Sequence, residues 1–274
     1  MNLLWAVLLL VATCVVSVGV MLAVRRRAPE GSYFSDGDRA SGVFGVLATG
    51  FSVLLGFIIF LAFTSYDESR SGAETEATTV SQQLETAQFL PADTASELNG
   101  ELVCYARWVV GPEWDAMADG SLDSSINPWG AAMYRTMKSA DPQTATEQSA
   151  YDRWMDQTVE RQQARVSRIQ GAEGIIPLPL WLVLFTISVV IFVYMLFFAD
   201  RAERARTQAL LMGSVSTVIC LLLMLVVFFD HPHGHGVGRL HPTAMERTLR
   251  LMDAQFEVAD VSLEVPCDDR GTPR

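Results

Sequence analysis

Lysine is nearly missing from this chain of 274 residues: of its 20 basic residues all but Lys138 are arginine, a bias that reads as coding preference rather than function. Charge is missing where it matters more. Four runs, at about residues 2–24, 42–65, 176–199 and 207–229, hold no Asp, Glu, Lys, Arg or His over 22 or more positions. At a rise of ~1.5 Å per residue each reaches across a hydrocarbon layer of ~30 Å. In lipid the backbone must satisfy its own hydrogen bonds, so such runs cross as helices. The missing intramembrane ionisable groups argue against a proton-coupled or ion-coupled transporter. A basic surplus is missing too: the net charge of −11 excludes nucleic acid as a partner.

Enzyme motifs are likewise lacking. There is no glycine-rich phosphate loop, His-Glu-x-x-His, nucleophile elbow or Cys-x-x-Cys. Glu74, Glu76, Asp115 and Asp119 read as solvated helix faces. The chain is expected to be no enzyme and to carry no cofactor.

What is present predicts an all-α polytopic membrane protein with four transmembrane helices. A long helical extramembrane segment separates spans two and three. The organisation expected is a transmembrane hairpin over 1–65, an acidic helical stalk over 66–175, a second hairpin over 176–229, and a histidine-containing polar tail over 230–274. Arg25, Arg26 and Arg27 follow the first run directly, and Arg201, Arg204 and Arg206 occupy the short loop between runs three and four. Basic short loops stay in the cytoplasm. The 66–175 segment, with 18 acidic and 8 basic residues, suits the outer side. The expectation is a multi-pass cell-membrane protein, N-out and C-out, whose first span is retained rather than removed as a signal.

Cys14 and Cys220 lie inside spans, while Cys104 and Cys267 lie in the two segments placed outside. An oxidising compartment permits a Cys104–Cys267 disulfide tying the tail to the stalk. Two unpaired thiols are nonetheless the plainer reading, because sequence does not fix their distance.

In the stalk, Ala73, Ala77, Val80, Leu84 and Ala87 recur at alternating steps of four and three, a heptad-like stripe that continues span two as an amphipathic helix. Pro91 ends it. A second stripe runs through Leu98, Leu102, Tyr105 and Val109, leading to a polar loop over 118–128 and a short helix near 129–139. Asp141-Pro142 opens a further helix near 143–170, with Tyr151, Met155, Val159, Val166 and Ile169 on one side. Core packing in a bundle explains such stripes; a partner-binding groove is the other reading.

All four histidines, His231, His233, His235 and His241, follow span four. His231, His233 and His235 form a His-x-His-x-His run that presents imidazoles to Zn²⁺, Cu²⁺ or Ni²⁺. Against a tight site, alternate residues of an extended segment point to opposite sides, and Gly234, Gly236 and Gly238 loosen the run. A solvated, pH-sensitive loop is the plainer reading.

Span two is rich in glycine (Gly42, Gly45, Gly50, Gly56) and phenylalanine (Phe44, Phe51, Phe57, Phe60, Phe63). Small residues let helices approach, and bulky apolar side chains around an axis make a constriction that gates by dewetting. Leu55, Ile59 and Phe63 form one possible pore face; Gly56, Phe60 and Thr64 form another. Lipid-facing and helix-packing phenylalanines are the ordinary alternative.

Tyr66-Asp67-Glu68-Ser69-Arg70, running through Glu76-Ala77 to Leu90-Pro91, resembles a pattern of a bacterial membrane family of unknown function known as bestrophin-like. Tyr105, Val109-Val110, Glu113-Trp114 and Met117-Ala118 resemble its second signature. Arg161 to Arg168 with Pro179-Leu180-Trp181, and then Asp230-x-Pro232 with Pro242, resemble the third and fourth. The resemblance covers most of 40–250. It implies kinship with the bestrophins, pentameric anion channels in which the second span lines the pore. Carried over, Phe57, Phe60, Phe63 and Thr64 become pore-lining candidates, and chloride or another small anion the permeant species. Bestrophins hold their long segment in the cytoplasm, opposite to the arginine bias here. His231 and His233 also stand where the family often has Arg and Phe. Two functions follow as expectations: a homo-oligomeric anion channel lined by span two, or a non-conducting membrane scaffold whose acidic stalk binds a partner.

Overall fold

With no charge to solvate and no water to bond to, the four apolar runs fold as helices, and helices also fill the polar segments. The computed structural model describes residues 3–121, 127–172, 174–258 and 264–274. In chain order the elements are α1 (Leu3–Arg25), α2 (Gly37–Ala87), α3 (Ala92–Trp108), α4 (Trp114–Ala118), α5 (Trp129–Ser139), α6 (Ala145–Gln170), α7 (Leu178–Phe197), α8 (Ala205–Asp230) and α9 (Thr243–Val258). Four of them, α1, α2, α7 and α8, are long and apolar enough to cross a membrane. No strand occurs among the described residues; an isolated bridge pairs Cys267 with Pro273. The protein is an all-α, multi-pass membrane protein. Residues 122–126 of the loop expected over 118–128 lie outside the described residues.

The chain forms two units. The first comprises residues 1–65, 174–231 and 235–237. Its core joins Phe51, Leu55 and Ile58 of α2 to Leu184 and Ile191 of α7 and Val226 of α8. A second cluster holds Met21, Ala28, Ala199 and Met212. The two arginine-bearing loops meet: Arg25 Nη2 donates to the carbonyls of Arg201, at 3.0 Å, and Glu203. The Gly31 N–H donates to Asp200 Oδ1, also at 3.0 Å. Elsewhere in this unit, buried Asp230 accepts from the N–H groups of Ile175 and Ile176 at 2.8 and 3.0 Å, and so fixes the chain entering α7 to the end of α8.

The second unit comprises residues 66–173, 232–234 and 238–274. Here α2 runs on without a break, 51 residues in all, until Pro91 caps the next helix. Ala77, Val80, Leu84 and Ala87 are buried, as are Leu98, Leu102, Tyr105 and Val109. They share one core with Met133 and Met137 of α5, Trp154 of α6, and Met245 and Met252 of α9. Gly72 sits where α2 and α6 touch backbone to backbone: a Cβ there would lie 2.6 Å from the Arg168 nitrogen and 2.7 Å from the Ala164 carbonyl oxygen.

On α6 the expected stripe holds at Tyr151, Met155 and Ile169, which pack against buried clusters, and is corrected at Val159 and Val166. A capping box of Thr144 and Glu147 starts the helix, but Val159 and Val166 are about half exposed (56% and 51%). The buried face instead carries Ala150, Trp154, Gln157, Thr158, Arg161, Ala164 and Arg168. Apolar periodicity misreads this helix because polar and charged side chains, Arg168 among them, find their partners inside the core.

The tail packs on α3. Cys267 is disulfide-bonded to Cys104, Trp129 Nε1 donates to the Gly271 carbonyl at 2.6 Å, and Arg107 donates to the Asp268 carbonyl at 3.2 Å. Gly271 has φ +79°, and a Cβ there would fall 2.5 Å from the Trp108 nitrogen, so only glycine fits.

Candidate functional site

Two arrangements stand out, one on the membrane helix α2 and one inside the second unit. On α2, periodicity divides the surface. Phe51, Leu55, Ile58 and Ala62 turn inward, while Val46, Val53, Phe57 and Phe60 are 74%, 69%, 60% and 62% exposed within the subunit. A Cβ added at Gly42, Gly45, Gly50 or Gly56 would meet nothing within 4 Å, so none of these glycines serves packing inside the subunit. Of the two pore faces considered, one carries buried Leu55, half-buried Ile59 and exposed Phe63; the other carries exposed Gly56 and Phe60 and half-buried Thr64. Phe63 is 47% exposed and meets Phe229 edge-on at 5.4 Å. The Thr64 hydroxyl donates to the Phe60 carbonyl at 3.0 Å and that of Ser52 to the Ala48 carbonyl at 2.8 Å. Their protons are used on the helix itself, so the open face is apolar with scattered acceptor oxygens.

The second arrangement joins residues that the sequence singles out only as parts of separate signatures, Glu76, Tyr105, Glu113 and Arg161 to Arg168. Arg161, Arg165 and Arg168 recur at i, i+4 and i+7 of α6 and share one face. Arg168, fully buried, grips Glu76 of α2 through Nε to Oε2 at 2.6 Å and Nη2 to Oε1 at 3.2 Å, and lies 3.4 Å from Glu113. Arg165 reaches Glu113 at 2.6 Å. The Tyr105 hydroxyl donates a short hydrogen bond to Glu76. Glu113 closes a π-helical segment, Val109–Glu113, that contains Pro112. The widened turn accommodates a proline with no N–H and delivers the carboxylate to the arginines. Burial alone would push the Arg168 guanidinium down, but Glu76 and Glu113 outweigh it and hold it above its ordinary value. Burial lowers Arg161, more than Tyr105 and Glu76 raise it, and burial raises Tyr105, which Glu76 raises further.

Glu76, expected on a solvated face, is fully buried. Its spacing gives no sign of this, since Ala73 and Ala77 flank it on the stripe. The arginine periodicity of α6, at steps of four and three, is the signal that the sequence does hold.

The histidines separate. His231 is exposed, with Nδ1 3.6 Å from Asp230. His233 is buried edge-on to Trp114 at 5.3 Å with no hydrogen-bond partner on either nitrogen among the described residues, and burial, with Arg168 nearby, pushes it down to about 4. His235 falls in the first unit. Among the described residues no three His, Cys, Asp or Glu side chains gather as a group able to hold a metal ion. Cys14 and Cys220 are free thiols.

A sequence model of the bestrophin-like domain matches residues 8–245. No curated protein matches. Among solved structures, one described as a membrane protein superposes with a TM-score of 0.67 at 15% identity, covering 89% of this chain and 98% of its own. Two variants of a bacterial bestrophin homologue from Klebsiella pneumoniae superpose with TM-scores of 0.65 and 0.64, each at 17% identity over 92% of this chain and 99% of theirs. At these identities the structural likeness is one of fold, and the match of the domain model over most of the sequence sets the family: the chain belongs to the bestrophin-like family.

Proposed function

We propose that this protein is the subunit of a homo-oligomeric anion channel in the cell membrane, with α2 lining the pore. The observation that carries the reading is the open face of α2. It bears Phe57 and Phe60 beside glycines that contact nothing in their own subunit, whereas the opposite face is packed against α7 and α8. Neighbouring copies cover such a face when small residues let backbones approach. Rings of Phe57, Phe60 and Phe63 around an axis form an apolar neck that opens and closes to water. Phenylalanine edges are electropositive, so such a neck tolerates chloride or another small anion better than a cation. Thr64 supplies an acceptor oxygen at one end of it.

The second unit and the tail belong on the exoplasmic side. Both arginine-rich loops, joined through Arg25, mark the cytoplasmic end, and a Cys104–Cys267 disulfide suits an oxidising compartment. This orientation is opposite to that of the bestrophins, and a reporter fused after Arg274 tests it.

Chloride flux from liposomes containing the purified protein tests the channel. Wild type is expected to conduct, and Phe60→Ala, alone or with Phe57→Ala, to raise flux severalfold by widening the neck. No flux at any pH or divalent-ion concentration would rule out the channel and leave the non-conducting scaffold.

A further inference from the structure

A cavity of about 300 Å³ opens in the second unit between α3, α5 and α6, lined by Tyr105, Asn127, Gly130, Arg161, Gln162 and Arg165 among others. The charges around it do not balance. Three guanidiniums, of Arg161, Arg165 and Arg168, share two carboxylates, of Glu76 and Glu113. Arg168 takes both and Arg165 takes Glu113. Arg161, only 1% exposed, makes no ion pair among the described residues. Its Nη1 donates to Gln83 Oε1 at 2.7 Å and toward Met133 Sδ at 3.2 Å, and its guanidinium stacks 4.7 Å from the Tyr105 ring centre. A neutral amide, a thioether and a ring do not neutralise a buried cation, and an unneutralised buried charge is costly.

A second, independent observation lies on the same wall. Asn127 is 8% exposed. Its Oδ1 is used, accepting from the Trp129 N–H at 3.1 Å. Its Nδ2 is buried with no hydrogen-bond partner among the described residues. An orphaned buried donor is as costly as a lost hydrogen bond. The cavity is therefore lined by a buried guanidinium without an ion pair and by one unused donor, and together they call for an acceptor with a negative charge.

We infer that this cavity binds one small monovalent anion, held between the Arg161 guanidinium and the Asn127 amide. The guanidiniums exclude a cation, and one unpaired guanidinium with one amide donor suits a single negative charge. The volume admits a halide or small planar oxyanion with part of its hydration water, with Gln162 at the rim. The site lies in the extramembrane unit and not on α2, so it stands independently of the channel reading.

Thermal unfolding of the detergent-purified full chain tests it, with chloride replacing gluconate at constant sodium concentration. An anion that binds only the folded state raises Tm saturably. Wild type is expected to show that rise. Asn127→Asp keeps the acceptor for the Trp129 N–H while placing a carboxylate where the donor was; it supplies the anion itself and should lose the dependence on chloride. Gly130→Leu fills the cavity from α5, where nothing lies within 4 Å of an added Cβ, and should lose it too while remaining folded. A wild-type Tm indifferent to chloride, or an equal rise in both variants, would overturn the site.

Discussion

Arg168 is fully buried and is shared by Glu76 and Glu113, so its removal leaves two carboxylates in the core with only Arg165 within ion-pair reach. Breaking a buried pair from one side costs about 3–5 kcal/mol. Arg168→Leu should destabilise the protein by that order in denaturant unfolding, and Arg168→Lys should fail to restore it, because an ammonium cannot grip Glu76 through two parallel bonds. Glu101 offers a pH signature. It is 6% exposed with Oε2 unpartnered, and burial, with Glu97 adding to it and the Thr136 hydrogen bond opposing, pushes its pKa up to about 7. A carboxyl whose folded pKa is raised contributes stability that is fully present below the unfolded value of 4.5 and is lost as pH rises toward 7. Glu101→Gln should therefore gain stability over wild type between pH 5 and pH 8, on the order of 1 kcal/mol, read as a widening Tm difference. At this scale the sequence says little. Nothing adjacent to Glu76 or Glu113 distinguishes a buried carboxylate from a solvated one, because the partners lie more than fifty residues away on α6.

At the scale of elements much is legible. The four membrane helices follow from missing charge, and the continuation of α2 beyond the membrane follows from the Ala77, Val80, Leu84 and Ala87 stripe. The face of α6 is legible only in part: Tyr151 and Met155 pack against the core as their spacing predicts, but Val159 and Val166 do not, and the buried side is built from Arg161 and Arg168 with Trp154 and Gln157. The π-helical turn is invisible in the sequence, since it depends on how Pro112 and Glu113 meet the arginines. The tail is the element most easily tested. Cys104 and Cys267 close a loop across a separation of 163 residues. Removing a native disulfide costs about 2–5 kcal/mol. Cys104→Ser and Cys267→Ser should each lower stability by that order, and wild type should take up thiol reagent at these positions only after reduction. Equal labelling with and without reductant would show that the bond does not form in the cell.

For the whole molecule, four apolar helices are too few to enclose an ion path within one subunit, and the open face of α2 is the part that a ring of copies would use. The proposed orientation draws on two independent features, arginines on both short loops and a cysteine pair suited to an oxidising compartment. Subunit number is not written in one chain, because Phe57, Phe60 and the glycines of α2 look the same facing lipid as facing an axis. The most direct measurement is therefore the subunit count of the detergent-purified protein by native mass spectrometry. A closed ring, of about five copies by the family resemblance, is the result predicted. A monomer or simple dimer would contradict the axial pore.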